Sequence, residues 1–274
     1  MNITRLPLAA ALILSAFSAP VLAGDAHPSK ALEAAVAAPT RSAANKARDV
    51  YRHPAETLAF FGIKPGDTVV EIWPGGGWYT EILAPYLKDK GQLIVAAPAG
   101  TGSQNIARML DTDPATYGKV ARANFPTQMG GTPVAPGSAD AVLTFRNVHN
   151  WRMGSYAADS ADYSEAAFKE LYAMLKPGGI LGIEDHRLPE DASDERERKS
   201  GYIKVSTIRR LAEQAGFRFV GASEINANPK DTTDYPRGVW TLPPRLVEGD
   251  KDREKYLAIG ESDRMTLKFM KPVR

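Results

Sequence analysis

Two kinds of residue in this sequence have the chemistry of a functional site. The first is Glu71, an acid that closes a β-branched run and is followed by Gly75, Gly76 and Gly77. Burying a carboxylate without a partner is costly, so an acid here is better explained as a ligand group than as a core residue. Glycines without Cβ atoms let a ligand approach the backbone. The turn at 73–80 is therefore the first candidate binding site.

The second kind is histidine at the end of an apolar segment. His149 follows the segment 141–145, and His186 follows the segment 180–183 with Asp185 beside it. Histidine is suited to general-base catalysis near neutral pH because its unperturbed pKa lies close to that range. We predict catalytic roles for His149, Asp185 and His186. The structural alternatives are a polar strand-end residue at 149 and an ordinary loop ion pair at 185–186.

Other residues near these positions have less specific interpretations. Trp73, Trp78 and Tyr79 could line the binding site, although aromatic residues beside a first strand are at least as often part of the core. Asn147 follows a predicted strand and is expected to bind the same ligand. His149, Glu184, Asp185 and His186 lack the chain spacing that is typical of a metal site, so we predict no metal.

The elements that position these residues alternate between strand and helix. Apolar runs predict strands at 69–72, 92–97, 140–145, 180–183 and 217–222, and helical spacing predicts helices at 79–87, 105–110, 165–175 and 204–215. A final alternating segment, 264–270, predicts one more strand. This alternation predicts an α/β fold with a doubly wound, mostly parallel sheet between two helical layers. Ligands of such sheets bind at the carboxyl ends of the strands.

Charged residues before the first strand allow two interpretations. Arg48, Asp49 and Arg52 could form a lid over the binding site, or they could be ordinary charges on the exposed face of a helix. Exposed charges are the simpler expectation, because charged residues are mostly found at the surface.

Composition and the amino-terminal segment limit the classes to which this protein can belong. The chain has 274 residues, a formal net charge of +2 and no cysteine, which gives no indication of a nucleic-acid partner. Residues 1–23 have a basic start, an apolar stretch and a small-residue end, the three parts of a secretory signal. We expect a signal peptide at 1–23, a loosely packed helical lead-in at 24–47 and one main domain at 48–274. The mature protein is expected to be periplasmic or secreted, without stable membrane insertion. Its oligomeric state does not follow from the sequence.

Several motifs occur in the order found in class I S-adenosylmethionine-dependent methyltransferases. They are the glycine turn, the strand that begins with Asp140, Leu-Lys-Pro-Gly-Gly at 175–179 and Ala-Gly-Phe at 215–217. From Arg48 onward the chain more closely resembles a family of bacterial predicted methyltransferases. That family is marked by Glu-Ile-Trp-Pro-Gly-Gly-Gly-Trp-Tyr-Thr-Glu, here at 71–81, and by a closing strand with Asp263 and Arg264. The resemblance implies a three-layer, Rossmann-like methyltransferase fold with an antiparallel C-terminal strand.

The resemblance also implies a cofactor and a reaction. The cofactor would be S-adenosylmethionine, bound by Glu71, Trp73, Gly75, Gly76, Gly77 and Asn147. The reaction would be methyl transfer to a small-molecule or envelope acceptor, with a general base needed only for a protonated oxygen or nitrogen. A dinucleotide fits less well, because the third small residue of its fingerprint would be Thr80, which follows two aromatic residues.

One departure from the methyltransferase pattern concerns the second predicted strand. Class I methyltransferases usually end this strand with an acid that accepts both ribose hydroxyls, but here Ala96 and Ala97 stand there. Losing such a charge-assisted contact costs roughly 1.5–3 kcal/mol. An exported protein also has no obvious supply of a cofactor made in the cytoplasm.

Two alternatives to a methyltransferase follow. The first is a non-catalytic binding protein on a methyltransferase scaffold with an eroded donor site, and the second is a nicotinamide oxidoreductase. A final strand that is antiparallel and inserted into the sheet would argue against the oxidoreductase.

We expect the signal peptide to be cleaved after Ala23, because the three regions occur in the required order. Amino-terminal sequencing of protein from fractionated cells should then begin at Gly24. Soluble cytoplasmic protein that begins at Met1 would contradict the prediction.

Overall fold

The computed structural model describes residues 27–273, so the predicted signal peptide lies outside the described residues. The strands are β1 (Thr68–Ile72), β2 (Gln92–Ala97), β3 (Ala121–Asn124), β4 (Ala139–Phe145), β5 (Leu175–Leu188), β6 (Ile203–Lys204), β7 (Arg218–Ser223) and β8 (Arg264–Met270). The helices are α1 (Lys30–Ala37), α2 (Ala43–Lys46), α3 (Asp49–Arg52), α4 (Pro54–Phe61), α5 (Thr80–Leu87), α6 (Thr101–Asp111), α7 (Pro114–Tyr117), α8 (Val148–Arg152), α9 (Ser164–Met174), α10 (Asp194–Glu197), α11 (Val205–Gln214) and α12 (Arg253–Ile259). Within 27–273, no helix has the length and apolar character needed to cross a membrane.

The strands form a mixed sheet in the order β3-β2-β1-β4-β5-β8-β7, with β6 beside the end of β5. β1 pairs in parallel with both β2 and β4, and β4 pairs in parallel with β5. β8 is antiparallel and lies between β5 and β7. The predicted fold class is confirmed. The strand order reverses at β1 and β4, and ligands of open α/β sheets bind at such a reversal.

Alternate residues of the central strands supply two apolar cores, one on each face of the sheet. Val70, Ile72 and Val142 belong to the core that includes residues of α9 and α11. Val69 and Leu143 belong to the core that includes residues of α1, α4 and α5. This arrangement gives the three predicted layers and fixes the carboxyl ends of β1, β4 and β5 at one edge.

The amino-terminal lead-in packs more tightly than expected. Leu32 of α1 is 1% exposed and lies in the same core as Leu58 of α4. After α1, Arg41 forms two hydrogen bonds with the carboxylate of Asp49, at 2.7 and 2.8 Å. The prediction of a loosely packed lead-in is wrong for α1, because Leu32 and Ala35 are buried against the domain.

A buried ionic network joins the inserted strand β8 to its neighbours. Glu184 on β5 is fully buried and lies 3.1 Å from Nη1 of Arg264 on β8. Glu261, just before β8, lies 3.2 Å from the same Nη1 atom and accepts a hydrogen bond from Nε of Arg52 at 3.0 Å. Tyr79 donates its hydroxyl to Glu184 at 3.3 Å. The network ties α3, β5 and β8 together beneath the carboxyl edge of the sheet.

Replacing Glu184 with alanine should destabilise the protein by about 3–5 kcal/mol, because it removes one of the two carboxylates that balance the buried guanidinium of Arg264. Urea unfolding of the mature protein measures this loss. Glu195→Ala is the control, since the pair of Glu195 with Lys199 is exposed and its removal should cause no measurable loss. Equal unfolding midpoints for the two variants would contradict a structural role for the network.

Candidate functional site

The glycine turn connects β1 to α5 and forms the floor of a cavity. Trp73 directly follows β1 with a left-handed φ of 50°, and Gly75 has a φ of 59°. A Cβ atom built on Gly75 or Gly76 would meet nothing within 4 Å, so these glycines face open space. The cavity has a volume of about 290 Å³, and its wall includes Glu71, Gly76 and Tyr79. We call it the glycine-turn cavity.

Glu71 is the buried acid of this cavity. Its side chain is 2% exposed, and the hydroxyl of Thr80 donates a hydrogen bond to its Oε2 at 2.6 Å. Burial raises the pKa of Glu71 to about 7, although the Thr80 hydrogen bond and the charge of Arg146 act in the opposite direction. Among the described residues Glu71 has no ion-pair partner, which suits a carboxylate that binds a cationic ligand group.

A second cavity, of about 520 Å³, lies between the ends of β2 and β4. It shares Trp73, Gly75 and Asn147 with the glycine-turn cavity, so the two cavities adjoin, and we call them together the cleft. We call it the β2-edge cavity. Ala97 lines it at the end of β2, and none of its lining residues is an acid. The polar side chains available in place of a carboxylate include those of Asn105, Asn147, Asn150, Ser155 and Tyr156.

Asn147 and Trp73 hold the strand ends that border this cleft. Asn147 donates Nδ2 to the carbonyl of Ile72 at 2.9 Å and to Oγ1 of Thr144 at 3.1 Å, which links the ends of β1 and β4. The indole N–H of Trp73 donates to the carbonyl of Phe125 at 2.9 Å. Both residues line the cleft, and both also have a structural function.

His149 and Asp185 form a buried pair at the ends of β4 and β5. His149 lies in the first turn of α8, and its Nδ1 is 2.7 Å from Oδ1 of Asp185. Asp185 is fully buried and also accepts the backbone N–H groups of Val148 and His186, each at 2.8 Å. A carboxylate held in this way orients the imidazole and keeps its proton on Nδ1, so that Nε2 can accept a proton. Asp185 is therefore a positioning residue rather than a group that touches a ligand.

His186 faces the same space as His149. Their ring centroids are 5.1 Å apart, and Nδ1 of His186 lies 2.5 Å from Oγ of Ser262. Burial and repulsion by His149 and Arg146 lower the pKa of His186 well below its usual range, so the ring is neutral at physiological pH. Both rings line a third cavity, of about 410 Å³, which we call the histidine cavity.

Three arginines connect the histidine cavity to the glycine-turn cavity. Arg48, Arg52 and Arg146 line both of them. Arg52 is 3% exposed, and its guanidinium lies 4.7 Å from the ring centroid of Trp78. The expectation of exposed helix charges is therefore wrong for Arg52. Arg146 follows β4 directly and has a left-handed φ of 61°.

The same histidines raise the question of a metal ion. His149, Asp185 and His186 offer ligand atoms that all lie within 4.8 Å of one another. The Asp185 carboxylate, however, is already hydrogen-bonded to backbone N–H groups and to His149, and cationic guanidiniums line the cavity beside it. These contacts disfavour a cation, and the absence of a metal stays a prediction.

Comparison with known proteins supports the fold. No family model matches the chain, and no curated protein does. Among solved structures, it is similar to a SAM-dependent methyltransferase from Aquifex aeolicus (TM-score 0.54, 16% identity, 82% of this chain and 93% of that chain). It is also similar to an arsenic(III) S-adenosylmethionine methyltransferase from Chlamydomonas reinhardtii (TM-score 0.51, 14% identity, 89% and 74%). The chain thus has a Rossmann-like methyltransferase fold.

A further similar structure shows why the fold alone does not give the reaction. The (4+2)-cyclase SpnF has a TM-score of 0.54 and 14% identity, over 92% of this chain and 88% of that chain. One fold hosts several activities, so the reaction must be argued from the site.

The raised pKa of Glu71 predicts a pH-dependent penalty on stability. The folded pKa of about 7 lies above the usual value of 4.5, so the folded state holds the proton more tightly. Stability from this group is fully present below pH 4.5 and is lost as pH rises to about 7, a loss of about 3 kcal/mol. Glu71→Gln, which cannot ionise, should therefore be more stable than the wild type by about that amount at pH 8 and by little near pH 4.5.

Urea unfolding at both pH values, without ligand, measures this difference. A stability difference that does not change with pH would contradict the raised pKa.

Proposed function

We propose that this protein transfers a methyl group from S-adenosylmethionine to an acceptor bound in the histidine cavity. The observation that carries the proposal is the buried, unpaired carboxylate of Glu71 beside the open backbone of Gly75 and Gly76. It lies at the edge of the sheet where an open α/β fold binds its ligands. We also propose that the chain belongs to the bacterial family that it resembles and that it acts outside the cytoplasm.

The cleft fits the cofactor in both size and charge. Glu71 offers a carboxylate to the ammonium group of the methionine end, and Gly75 and Gly76 leave room for the ligand above the turn. The β2-edge cavity continues from there and has room for the nucleoside end. Arg52, which lines the glycine-turn cavity, is available to the methionine carboxylate. The weak point of the fit is Ala97, where the ribose hydroxyls find no acid.

When bound, the cofactor supplies an electrophilic methyl group on a sulfonium. The protein's own contribution is to hold the acceptor in line with that group and to remove a proton from it. Nε2 of His149 has no hydrogen-bond partner among the described residues, and the ring lines the histidine cavity. It can take a proton from an acceptor O–H or N–H, and the Asp185 carboxylate then stabilises the resulting imidazolium.

The second candidate is a non-catalytic binding protein, and Ala97 is the observation that favours it. With amides in place of a carboxylate at the ribose, affinity should be lower by roughly tenfold or more than with the usual acid. The two candidates share the binding site. They differ in whether the donor binds tightly enough to react.

Isothermal titration of the mature protein with S-adenosylhomocysteine tests the donor site. Gly76→Val should abolish binding, because the new side chain occupies the ligand's space while meeting no protein atom within 4 Å of its Cβ. Gly66→Val is a matched control, since a Cβ there also meets nothing and the turn before β1 is far from the cleft. Glu71→Gln should weaken binding by about 1.5–3 kcal/mol.

Ala97→Asp is the complementary variant and should tighten binding, because it restores an acceptor for the ribose hydroxyls. If the wild type, Gly76→Val, Glu71→Gln and Ala97→Asp all show the same response while folded, the cofactor assignment is wrong. Binding without methyl transfer to any acceptor would favour the binding protein.

A further inference from the structure

The histidine cavity carries an excess of positive charge. Four guanidinium groups line it, those of Arg48, Arg52, Arg146 and Arg245, against the single carboxylate of Glu261. Beneath the cavity lie one further guanidinium, Arg264, and the two buried carboxylates Glu184 and Asp185. Five positive groups therefore face three negative ones, an excess of two positive charges. The neutral His186 ring does not alter this balance.

Two buried nitrogen atoms of the guanidinium groups that line the cavity have no hydrogen-bond partner among the described residues. Nη1 of Arg52 and Nη2 of Arg48 are buried and have no partner among the described residues. The Arg52 side chain is 3% exposed, so solvent does not compensate for the missing partner. Burial and repulsion by Arg146 lower the pKa of Arg52 to about 9, which leaves it charged at neutral pH. A bound anion would accept the hydrogen bonds that these buried guanidinium groups leave unmade.

The methyl donor does not remove the excess. S-adenosylmethionine carries an ammonium, a sulfonium and one carboxylate, and is therefore singly positive. An ionised Glu71 offsets that charge in the glycine-turn cavity. Two uncompensated positive charges then remain near the acceptor, even if Arg52 pairs with the donor's carboxylate.

Part of the lining of the histidine cavity is apolar. Val239, Trp240, Pro243 and Pro244 form it, and Trp240 offers an aromatic surface. A volume of about 410 Å³ is that of a small-molecule site. A ligand that matches both the guanidinium groups and the apolar lining has an apolar body and an anionic end.

We propose that the methyl acceptor is a small organic acid whose apolar or aromatic body lies against Trp240 and Pro243 and whose carboxylate or phosphate group binds Arg48, Arg52 and Arg245. The acceptor presents an O–H or N–H to Nε2 of His149. That atom takes the proton as the oxygen or nitrogen bonds to the methyl carbon and the carbon–sulfur bond breaks, leaving a neutral thioether. This inference rests on the proposed function for its reaction, but its anion site is testable separately.

The test measures binding of benzoate, phenyl phosphate and neutral benzamide to the mature protein by calorimetry, with and without saturating S-adenosylhomocysteine. We expect one or both acids to bind with the product present, and benzamide to bind at least tenfold more weakly. The two acids distinguish a carboxylate from a phosphate site.

The variant Arg245→Gln should lower the affinity for the acids about tenfold. Arg245 lines only the histidine cavity and is exposed, so its loss leaves the buried network intact. Arg218→Gln is the control: it is exposed at the opposite edge of the sheet and should change nothing.

Three results would overturn the inference: equal affinity for benzoate and benzamide, no binding of either acid, or binding of the acids only in competition with the product. The last would assign the arginines to the donor's carboxylate alone. If the product fails to bind but the acids bind and respond to Arg245→Gln, the anion site stands and the proposed methyl transfer does not.

Discussion

The buried ionic network under the carboxyl edge is the constraint on which the site depends. Glu261 binds Arg52 from the amino-terminal segment and Arg264 from β8, and Glu184 on β5 also binds Arg264. Segments from both ends of the chain are thereby fixed over the central strands. Burial of this many charges is tolerated only because each carboxylate meets more than one guanidinium. The excess of positive charge in the histidine cavity therefore belongs to the same ionic network that fixes the amino-terminal segment and β8 in place.

The backbone is strained at the ends of two central strands. Trp73 and Arg146 both have left-handed φ values directly after β1 and β4, at about 1–3 kcal/mol each. The strain turns the chain sharply, so that the glycine turn and the Arg146 side chain both border the glycine-turn cavity. Packing of Trp73 against Trp151 and its hydrogen bond to Phe125 hold the first of these conformations.

Local pattern predicted much of the fold and only part of the site. Glu71, His149 and Asp185 were identifiable because each ends or follows an apolar strand. The helix α8 has five residues, Val148–Arg152, too few to show a helical period, and β3 reads Ala-Arg-Ala-Asn, with only two alanines on its apolar face. The ion pair of Arg52 with Glu261 joins residues 209 positions apart, and no local signal reports such a distance. The sequence therefore predicts an exposed charge at Arg52, which the structure buries.

The choice between an enzyme and a binding protein rests on the balance between Glu71 and Ala97. Burial of Glu71 favours its neutral form. Below pH 7, part of the binding free energy of a cationic ligand is therefore spent on ionising Glu71. Above pH 7 the carboxylate is already ionised in the unliganded protein, which destabilises that state, and the ligand's ammonium group removes this destabilisation. Donor affinity should therefore rise with pH up to about 7, and part of the ribose contact missing at Ala97 is offset by relief of this buried charge. A similar scaffold with an ordinary, solvated acid at the first strand would lack that compensation. The buried position of Glu71 at the end of β1, in addition to the glycine turn, thus offsets the missing acid at Ala97 in donor binding.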